Sequence, residues 1–385
     1  GFQTYLVGGC VRDLLLGRQP KDFDIGTLAT PRDISRLFRN CRIIGRRFRL
    51  AHIHYGPEIY EVATFRGQGA EAVSNPRERG DAFIERTNTF GTPHQDALSR
   101  DFTMNGLFYD PIARHIIDYV QGYEDVEQGI VRSIGDPDAR MEEDPVRILR
   151  AIKFSARLGF EVEDRLSQAM EKHVPKILLC PTPRVTEEIF RLGESRCALE
   201  SFRLLEQYGA LRGLLPLLQD YLDACTEDER NRFEHGLLWL DRQGQAHGVL
   251  PREYVLSALF LWPALGQFLD TDLGGDWGER TEDWFHQTGI DLQIPVRLRH
   301  RFYVLMAMIQ RMIYPKTARR FRRARPLVRQ PAFPQALALL RIVVLTSGQF
   351  EERYLWWREL AEEMGVSSSP ILPPREKKEG AGGGR

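Results

Sequence analysis

Two aspartates separated by one residue are the feature of this sequence best suited to chemistry. They lie in Lys21-Asp22-Phe23-Asp24, and residues two apart on a strand point to the same face of a sheet. Asp22 and Asp24 would then project side by side, with Phe23 turned towards the core. Neighbouring carboxylates repel each other unless cations lie between them, and Mg²⁺ prefers carboxylate oxygens together with substrate phosphates. The pair predicts a two-metal phosphoryl-transfer site, with a solvated strand end as the alternative.

A glycine pair precedes these aspartates by about a dozen residues. Gly8-Gly9 follows the strand-like run Tyr5-Leu6-Val7 and precedes a helix predicted over 11–16. Such a turn lets backbone N–H groups approach a triphosphate, helped by the helix dipole. Arg12, on the first helical turn, is a candidate for the same phosphates. The alternative is an ordinary strand-to-helix turn, but the glycine pair followed by two aspartates is more specific than either part.

Two further acidic residues are candidates for the same site. Glu61 lies on a strand predicted over 59–65 and would supply a third metal-binding carboxylate; alternatively it is an exposed polar residue. Arg100-Asp101 follows a polar segment, 67–91, that we predict to be a mobile loop. Asp101 would order Arg100 against phosphates or help to align the metal site, unless the pair is only a salt-bridged helix start.

A second motif has the residues to recognise a nucleotide base. Glu143-Asp144-Pro145 opens a helix predicted to continue through Leu158, with Gly159 as its C-cap. Arg147 and Arg150 share a face of that helix, because residues three apart are neighbours. Asp144 and these arginines could present an acceptor and donors to the amino and ring-nitrogen edge of adenine or cytosine; alternatively Asp144 only caps the helix. The motif would accept adenine and cytosine alike, so by itself it does not distinguish a protein that uses adenine nucleotides from one that uses both.

The positioning elements follow from the hydrophobic pattern. Strands are predicted over 5–7, 22–25, 51–55 and 58–65, and Thr30-Pro31 is a helix start with Thr30 as N-cap. The first third is thus a small α/β domain. From about residue 139 strand signals vanish, and the rest is predicted to be helical. The first residues already look like a strand, so we expect the natural protein to begin earlier.

Charge is distributed unevenly along the 385 residues, whose formal net charge is zero. No Asp or Glu occurs from Leu292 to Phe350, a stretch rich in arginine. Cations alternating with apolar residues over 316–329 are typical of a helix that binds a phosphate backbone without reading sequence, or of a solvated basic helix. The predicted RNA-binding residues of this block are Lys316, Arg319, Arg320, Arg322 and Arg323.

Taken together, these motifs resemble the class II nucleotidyltransferase family, which holds bacterial poly(A) polymerases and CCA-adding tRNA nucleotidyltransferases. The resemblance covers roughly 5–215 and also includes Asp118 to Arg132. It implies a polymerase-beta-like α/β catalytic head followed by an all-α neck, body and tail. By position it assigns Asp22, Asp24 and Asp101 to catalysis. The matching nucleotide-binding positions are Gly8, Gly9, Arg12, Arg100, Asp144, Arg147 and Arg150.

Within that family, the segment 43–53 is similar to one typical of the poly(A) polymerase branch, and Arg46, Arg47 and Arg49 in it are candidate RNA contacts. The resemblance thus implies addition of AMP from ATP to RNA 3′ ends with two Mg²⁺ ions. A CCA-adding enzyme is the first alternative, and an RNA-binding protein on a retired transferase scaffold is the second. The intact carboxylates argue against the latter.

The organisation expected from this resemblance has four segments. They are a nucleotidyltransferase head over 1–135, a base-recognising neck over 136–215, an RNA-binding body and tail over 216–370, and a disordered end over 371–385. Five cysteines fit neither a zinc pattern nor a disulfide framework, and no apolar run is long enough to cross a bilayer. We therefore expect a cytoplasmic protein without membrane insertion.

Overall fold

The computed structural model describes residues 1–45, 50–67, 90–248, 250–258, 276–281, 294–314 and 320–366, with the backbone alone for 320–323. The chain forms two compact units, 1–176 and 177–385. The first unit is α/β, and the elements described in the second are all helices, which confirms the predicted fold class. The finer boundaries within the predicted neck, body and tail stay a prediction, and 371–385 lies outside the described residues.

A seven-stranded sheet organises the first unit. Its strands are β1 Thr4–Val7, β2 Asp24–Thr27, β3 Cys41–Ile44, β4 Leu50–Tyr55, β5 Glu58–Thr64, β6 Leu107–Asp110 and β7 His115–Asp118. They lie in the order β3-β4-β5-β2-β1-β6-β7. Only the central β2–β5 pair in this sheet is parallel. The start of β2 therefore lies beside the middle of β5 and the end of β1.

Apolar clusters fix this sheet between its helices. Tyr5, Val7, Phe65 and Phe108 form one buried cluster. Another combines Ile34 and Ala29 with residues of β4 and β5. Burial of these side chains holds the register, because a slip of one residue would turn every apolar side chain to the opposite face.

Seven helices are described in the first unit. They are α1 Gly9–Leu15, α2 Pro31–Leu37, α3 Pro93–Ser99, α4 Gly122–Gln128, α5 Pro137–Glu143, α6 Val146–Leu158 and α7 Asp164–His173. The predicted start of α2 is confirmed, since the Thr30 hydroxyl accepts from the Asp33 N–H in a capping box. The predicted end of α6 is confirmed too, because Gly159 adopts a left-handed φ of 72°.

Some predicted boundaries were wrong. A strand, β3, forms at the sheet edge where no strand was predicted, because Cys41–Ile44 finds a partner in β4. The expectation of no strands beyond about residue 139 also fails, since β9 Glu161–Val162 pairs with β8 Ile130–Val131. These two strands are two residues long, too short to leave a periodic signal in the sequence.

The second unit is built from helices packed on a hydrophobic core. They are α8 Thr182–Gly193, α9 Ala198–Gln207, α10 Ala210–Leu214, α11 Pro216–Ala224, α12 Glu227–His247, α13 Arg252–Leu256, α14 Val296–Ile313, α15 Arg320–Val328, α16 Phe333–Ser347 and α17 Glu351–Glu363. Helix α16 contacts α12, α14 and α17, and most of its side chains are buried. No helix in the described ranges is both long enough and apolar enough to cross a bilayer.

Candidate active site

The two aspartates do not share a strand as predicted. Strand β2 begins at Asp24, so Asp22 and Phe23 precede it and have no ladder partner there. Phe23 is 42% exposed, which makes the prediction that it faces the core wrong. Strand alternation does not apply before the first ladder residue, and this is the physical reason for the error. Both carboxylates are nevertheless exposed at the same end of β2.

Asp24 lies directly opposite Glu61 in the parallel pairing of β2 with β5. Although the Asp24 side chain reaches solvent, desolvation by the surrounding protein raises its pKa. Glu61 raises that pKa further, Arg100 lowers it and Asp22 raises it. The structure thus brings the three predicted metal-binding carboxylates into one electrostatic neighbourhood, whose negative charges are mutually unfavourable without a cation.

These carboxylates suit Mg²⁺ chemically but do not form a closed cage. Within the described ranges, no three His, Cys, Asp or Glu side chains are grouped tightly enough to hold a metal ion by themselves. An open carboxylate set is the arrangement that Mg²⁺ uses when substrate phosphates supply its remaining ligands. Glu61 also has a second neighbour, since its Oε1 lies 3.3 Å from His52 Nε2. Magnesium binding by Asp22, Asp24 and Glu61 stays a prediction.

The Gly8-Gly9 turn is shaped by its lack of side chains. Gly8 has φ 75° and ψ −129°, a conformation that residues with a Cβ rarely adopt. A Cβ there would lie 2.6 Å from Nη1 of Arg100. That guanidinium is fixed by Asp96 Oδ2, at 3.0 Å from Nε and 2.9 Å from Nη2, and by the Asn105 carbonyl at 3.2 Å from Nη1. The structure therefore places Arg100 against the turn, where the phosphate hypothesis requires it.

Arg12 lies beside the turn, with Nη2 3.5 Å from the position that a Cβ at Gly9 would take, but its guanidinium is buried and paired. Its side chain is 3% exposed. Nε and Nη2 donate to Asp13 Oδ1 at 2.9 and 2.6 Å, and Nη1 donates to Asn105 Oδ1 at 2.5 Å. Burial lowers the pKa of Arg12, while the Asp13 charge and hydrogen bonds raise it. The guanidinium is thus held by Asp13 and Asn105 beside the turn, and its contact with phosphates stays a prediction.

Asp101 binds an arginine of α6. Its Oδ2 accepts from Arg150 Nε at 2.8 Å and from Nη2 at 2.5 Å. Its Oδ1 accepts from the Phe102 N–H and from the Asn105 side-chain amide. Burial by itself would raise the pKa of Asp101, but Arg150, Asn105 and the Phe102 N–H outweigh it and hold the pKa below its usual value. The carboxylate is thus a fixed anion between the head and α6.

Arg147 is held by two acceptors at the end of α5. Its Nη1 donates to the Arg140 carbonyl at 2.8 Å and to Glu143 Oε2 at 2.7 Å. Asp144 forms the C-cap of α5, and its carbonyl accepts from the Arg147 N–H at 3.0 Å. Pro145 already has helical dihedrals, with φ −59° and ψ −19°, so both the helix-capping and the base-reading hypotheses for Asp144 stay open. Asp144 precedes Arg147 by three residues, and base reading by this pair stays a prediction.

The predicted RNA-binding residues fall mostly outside the described part. Arg46, Arg47, Arg49, Lys316 and Arg319 lie outside the described residues. Arg320, Arg322 and Arg323 belong to α15, but only their backbone is described. The same helix continues with Arg325 and ends next to Arg329, and both of these arginines are exposed. Their role in RNA binding stays a prediction.

Sequence reasoning missed Arg140 and Asn105. Asn105 joins Arg12 to Asp101 through the two ends of its amide. The Arg140 Nη2 donates to the carbonyls of Ser99 and Arg100, and its Nη1 donates to Glu143. The only local signal for Arg140 was its spacing of three from Glu143, which is typical of many solvated helix pairs. Nothing local signalled that it crosses to the segment before Asp101.

Known proteins match both units. Residues 4–132 match the model described as poly A polymerase head domain, and 159–222 match that of a probable RNA and SrmB-binding site of polymerase A. The poly(A) polymerase I of Salmonella typhi is 34% identical over 93% of this chain and 79% of its own length. The CCA-adding enzyme of Staphylococcus saprophyticus is 34% identical, but over 57% of this chain and 53% of its own length.

A solved structure supports the same fold at greater distance. A tRNA nucleotidyltransferase complexed with a primer tRNA and an incoming ATP analog superposes with a TM-score of 0.61 and 21% identity, over 94% of this chain and 97% of that one. At this identity the match shows the architecture only. The match to poly(A) polymerase I extends through both units, and on that ground the chain belongs to the poly(A) polymerase family of nucleotidyltransferases.

Proposed function

We propose that this protein adds AMP from ATP to RNA 3′ ends without a template. The observation that carries the proposal is the juxtaposition of Asp24 with Glu61 on adjacent strands, next to the Gly8-Gly9 turn. The RNA 3′-hydroxyl would attack the α-phosphorus of ATP, a bond to the RNA oxygen would form, and pyrophosphate would leave. Catalysis of this kind needs positioning and charge stabilisation, and it needs no covalent enzyme intermediate.

Each part of the site has a separate task in this proposal. Asp22, Asp24 and Glu61 would hold Mg²⁺, which when bound would activate the hydroxyl and stabilise the leaving group. Arg100 and the glycine turn would hold the triphosphate, because Arg100 already lies against Gly8. Asp144 and Arg147 would present an acceptor and a donor to the base edge, a pattern that adenine and cytosine satisfy. Asp101 would fix Arg150 beside them.

The extent of the relatives favours ATP and oligonucleotide RNA over a tRNA-specific reaction. The match to poly(A) polymerase I continues through the helical unit, whereas the match to the CCA-adding enzyme covers 57% of the chain. The helical unit is where the basic block lies, and a surface that binds phosphates without reading sequence suits the growth of a tail. The five cysteines are all free, in keeping with the reducing cytoplasm that we propose as its compartment.

The proposal is tested by primer extension. The protein with Mg²⁺ would be given labelled oligo(A) RNA and each nucleoside triphosphate alone, and in parallel a tRNA lacking its terminal CCA. Long products on oligo(A) with ATP only are expected. An Asp22→Ala, Asp24→Ala variant is the matched control and should extend neither RNA.

Other outcomes discriminate the alternatives. Addition of three nucleotides to the tRNA, with CTP required first, would assign the chain to CCA addition. RNA binding without extension of either substrate would leave the binding-protein hypothesis. Extension that proceeds equally well in the double-alanine variant would overturn the assignment of the carboxylates.

A further inference from the structure

Arg140 joins α5 to the main chain at Ser99 and Arg100. It lies on α5, seven residues before Arg147, and its side chain is 19% exposed. Its Nη2 donates to the carbonyl of Arg100 at 2.5 Å and to that of Ser99 at 3.2 Å. Its Nη1 donates to Glu143 Oε2 at 3.0 Å. One guanidinium therefore bonds both to the main chain beside Asp101 and to the end of its own helix.

The same carboxylate oxygen holds the base-reading arginine. Glu143 Oε2 also accepts from Arg147 Nη1 at 2.7 Å, and the Arg140 main-chain carbonyl accepts from that nitrogen at 2.8 Å. Both hydrogens of Arg147 Nη1 are thereby used. Nε and Nη2 remain the atoms with which Arg147 would meet a base edge, and their direction is set by Arg140 and Glu143.

The hydrogen bonds of Arg140 require the forked shape of its guanidinium group, because the group is largely buried. Burial and the nearby positive charge of Arg147 lower the pKa of Arg140, while Glu143 raises it. Arg140 and Arg147 share the Glu143 carboxylate, and this arrangement of two like charges is stable only if each hydrogen bond is well placed. A lysine could not serve three acceptors in these directions, because its ammonium is a single point on a flexible stem.

We infer that Arg140 is a positioning residue for base selection, and that it acts through Arg147. By fixing α5 to the main chain at Ser99 and Arg100, it sets the position of Arg147 relative to the guanidinium that lies on the glycine turn. The inference rests on the proposed function, since it requires that the enzyme choose among nucleotides. It adds Arg140 to the residues of that function and states that Arg140 works by positioning Arg147.

The test measures the ratio of kcat/KM for ATP to kcat/KM for GTP on oligo(A). Both values come from the same preparation, so the ratio does not depend on how much of a variant is folded. Arg140→Met and Arg140→Lys should each lower the ratio about tenfold, which is the discrimination that one well-placed hydrogen-bonded pair carries. In an Arg147→Met background, adding Arg140→Met should leave the ratio unchanged, because coupled residues are non-additive.

Lys172→Met is the matched control. Lys172 holds the other side of α5 through Asp138, at 2.7 Å, without contacting Arg147. Its loss should leave the ratio at the wild-type value. The inference is overturned if Arg140→Met keeps the wild-type ratio, if its effect adds to that of Arg147→Met, if lysine restores the ratio, or if Lys172→Met lowers it equally. Wild-type protein that extends no RNA would instead refute the proposed function.

Discussion

Arg150 directs two hydrogen bonds onto a single oxygen of Asp101, at 2.8 Å from Nε and 2.5 Å from Nη2. The pair joins α6 to the segment that follows Arg100. It gives Asp101 the task of fixing an arginine of α6, and the catalytic role predicted for Asp101 stays a prediction. Such a task has consequences for stability as well as for activity.

Asp101→Asn should destabilise the protein by about 2 kcal/mol at neutral pH, because a hydrogen-bonded charge is removed from Arg150. The pKa of Asp101 is lowered in the folded state, so its stabilisation is present above the unfolded pKa of about 3.9 and is lost as pH falls through the folded pKa. Urea unfolding of both proteins at pH 7 and at about pH 3 measures this difference. An equal difference at both pH values would contradict the assignment.

Glu61→Gln should stabilise the metal-free protein, by up to about 1 kcal/mol, because it removes a negative charge directly opposite Asp24. The same variant should need about tenfold more Mg²⁺ for half-maximal extension if Glu61 helps to hold the ion. Thermal unfolding without Mg²⁺ and a Mg²⁺ titration of activity measure the two effects. Asp101→Asn is the comparison variant, and its Mg²⁺ requirement should match that of the wild type.

Gly8→Ala should lower stability by about 1–3 kcal/mol and raise the KM for ATP, since its backbone is strained for any residue with a Cβ and the added atom meets Arg100. Gly9→Ala is the matched control. Its nearest neighbour would be Arg12 Nη2 at 3.5 Å, an ordinary contact, so its stability should change far less. Equal effects of the two substitutions in thermal unfolding and in initial rates would argue against a special role for the Gly8 conformation.

Arg325→Gln combined with Arg329→Gln should weaken RNA binding at low salt. Both side chains are exposed at the end of α15, while Ala324, Leu327 and Val328 are buried beside them. If both arginines bind phosphates, the slope of log affinity against log salt should fall by about 1.4. Binding of labelled oligo(A) at several salt concentrations measures the slope. An unchanged slope would place the RNA path elsewhere.

Rules that depend on neighbouring residues predicted the helix ends better than they predicted which distant segments pair. Thr30 begins α2 and Gly159 ends α6 as expected, because capping depends on a few neighbouring residues. Phe23 was assigned to the core because the strand was expected to begin two residues too early. Whether a strand has begun is decided by its ladder partner, β5 in this case, and that partner lies far away in sequence.

The candidate site shows the same division. Asp24 and Glu61 were recognised by residue type, and the register of β2 and β5 brings them together. The binding of the Arg12 guanidinium by Asp13 and Asn105 was not predicted, and the Asn105 contact spans 93 residues of sequence. The role of Arg140 was not predicted either, because its acceptors on Ser99 and Arg100 lie far from it in sequence.

The parallel pairing of β2 with β5 also bears on how the protein is made. Neighbouring hairpins such as β4–β5 close over a few residues, whereas β2 can meet β5 only after the chain between them has folded back. Contacts of large sequence separation form slowly, because the loop entropy is lost before the contact is gained. While the first unit folds, its helices and hairpins would therefore form early, and the pairing that places Asp24 opposite Glu61 would form late. The newly made protein would remain inert towards nucleotides until its topology is complete.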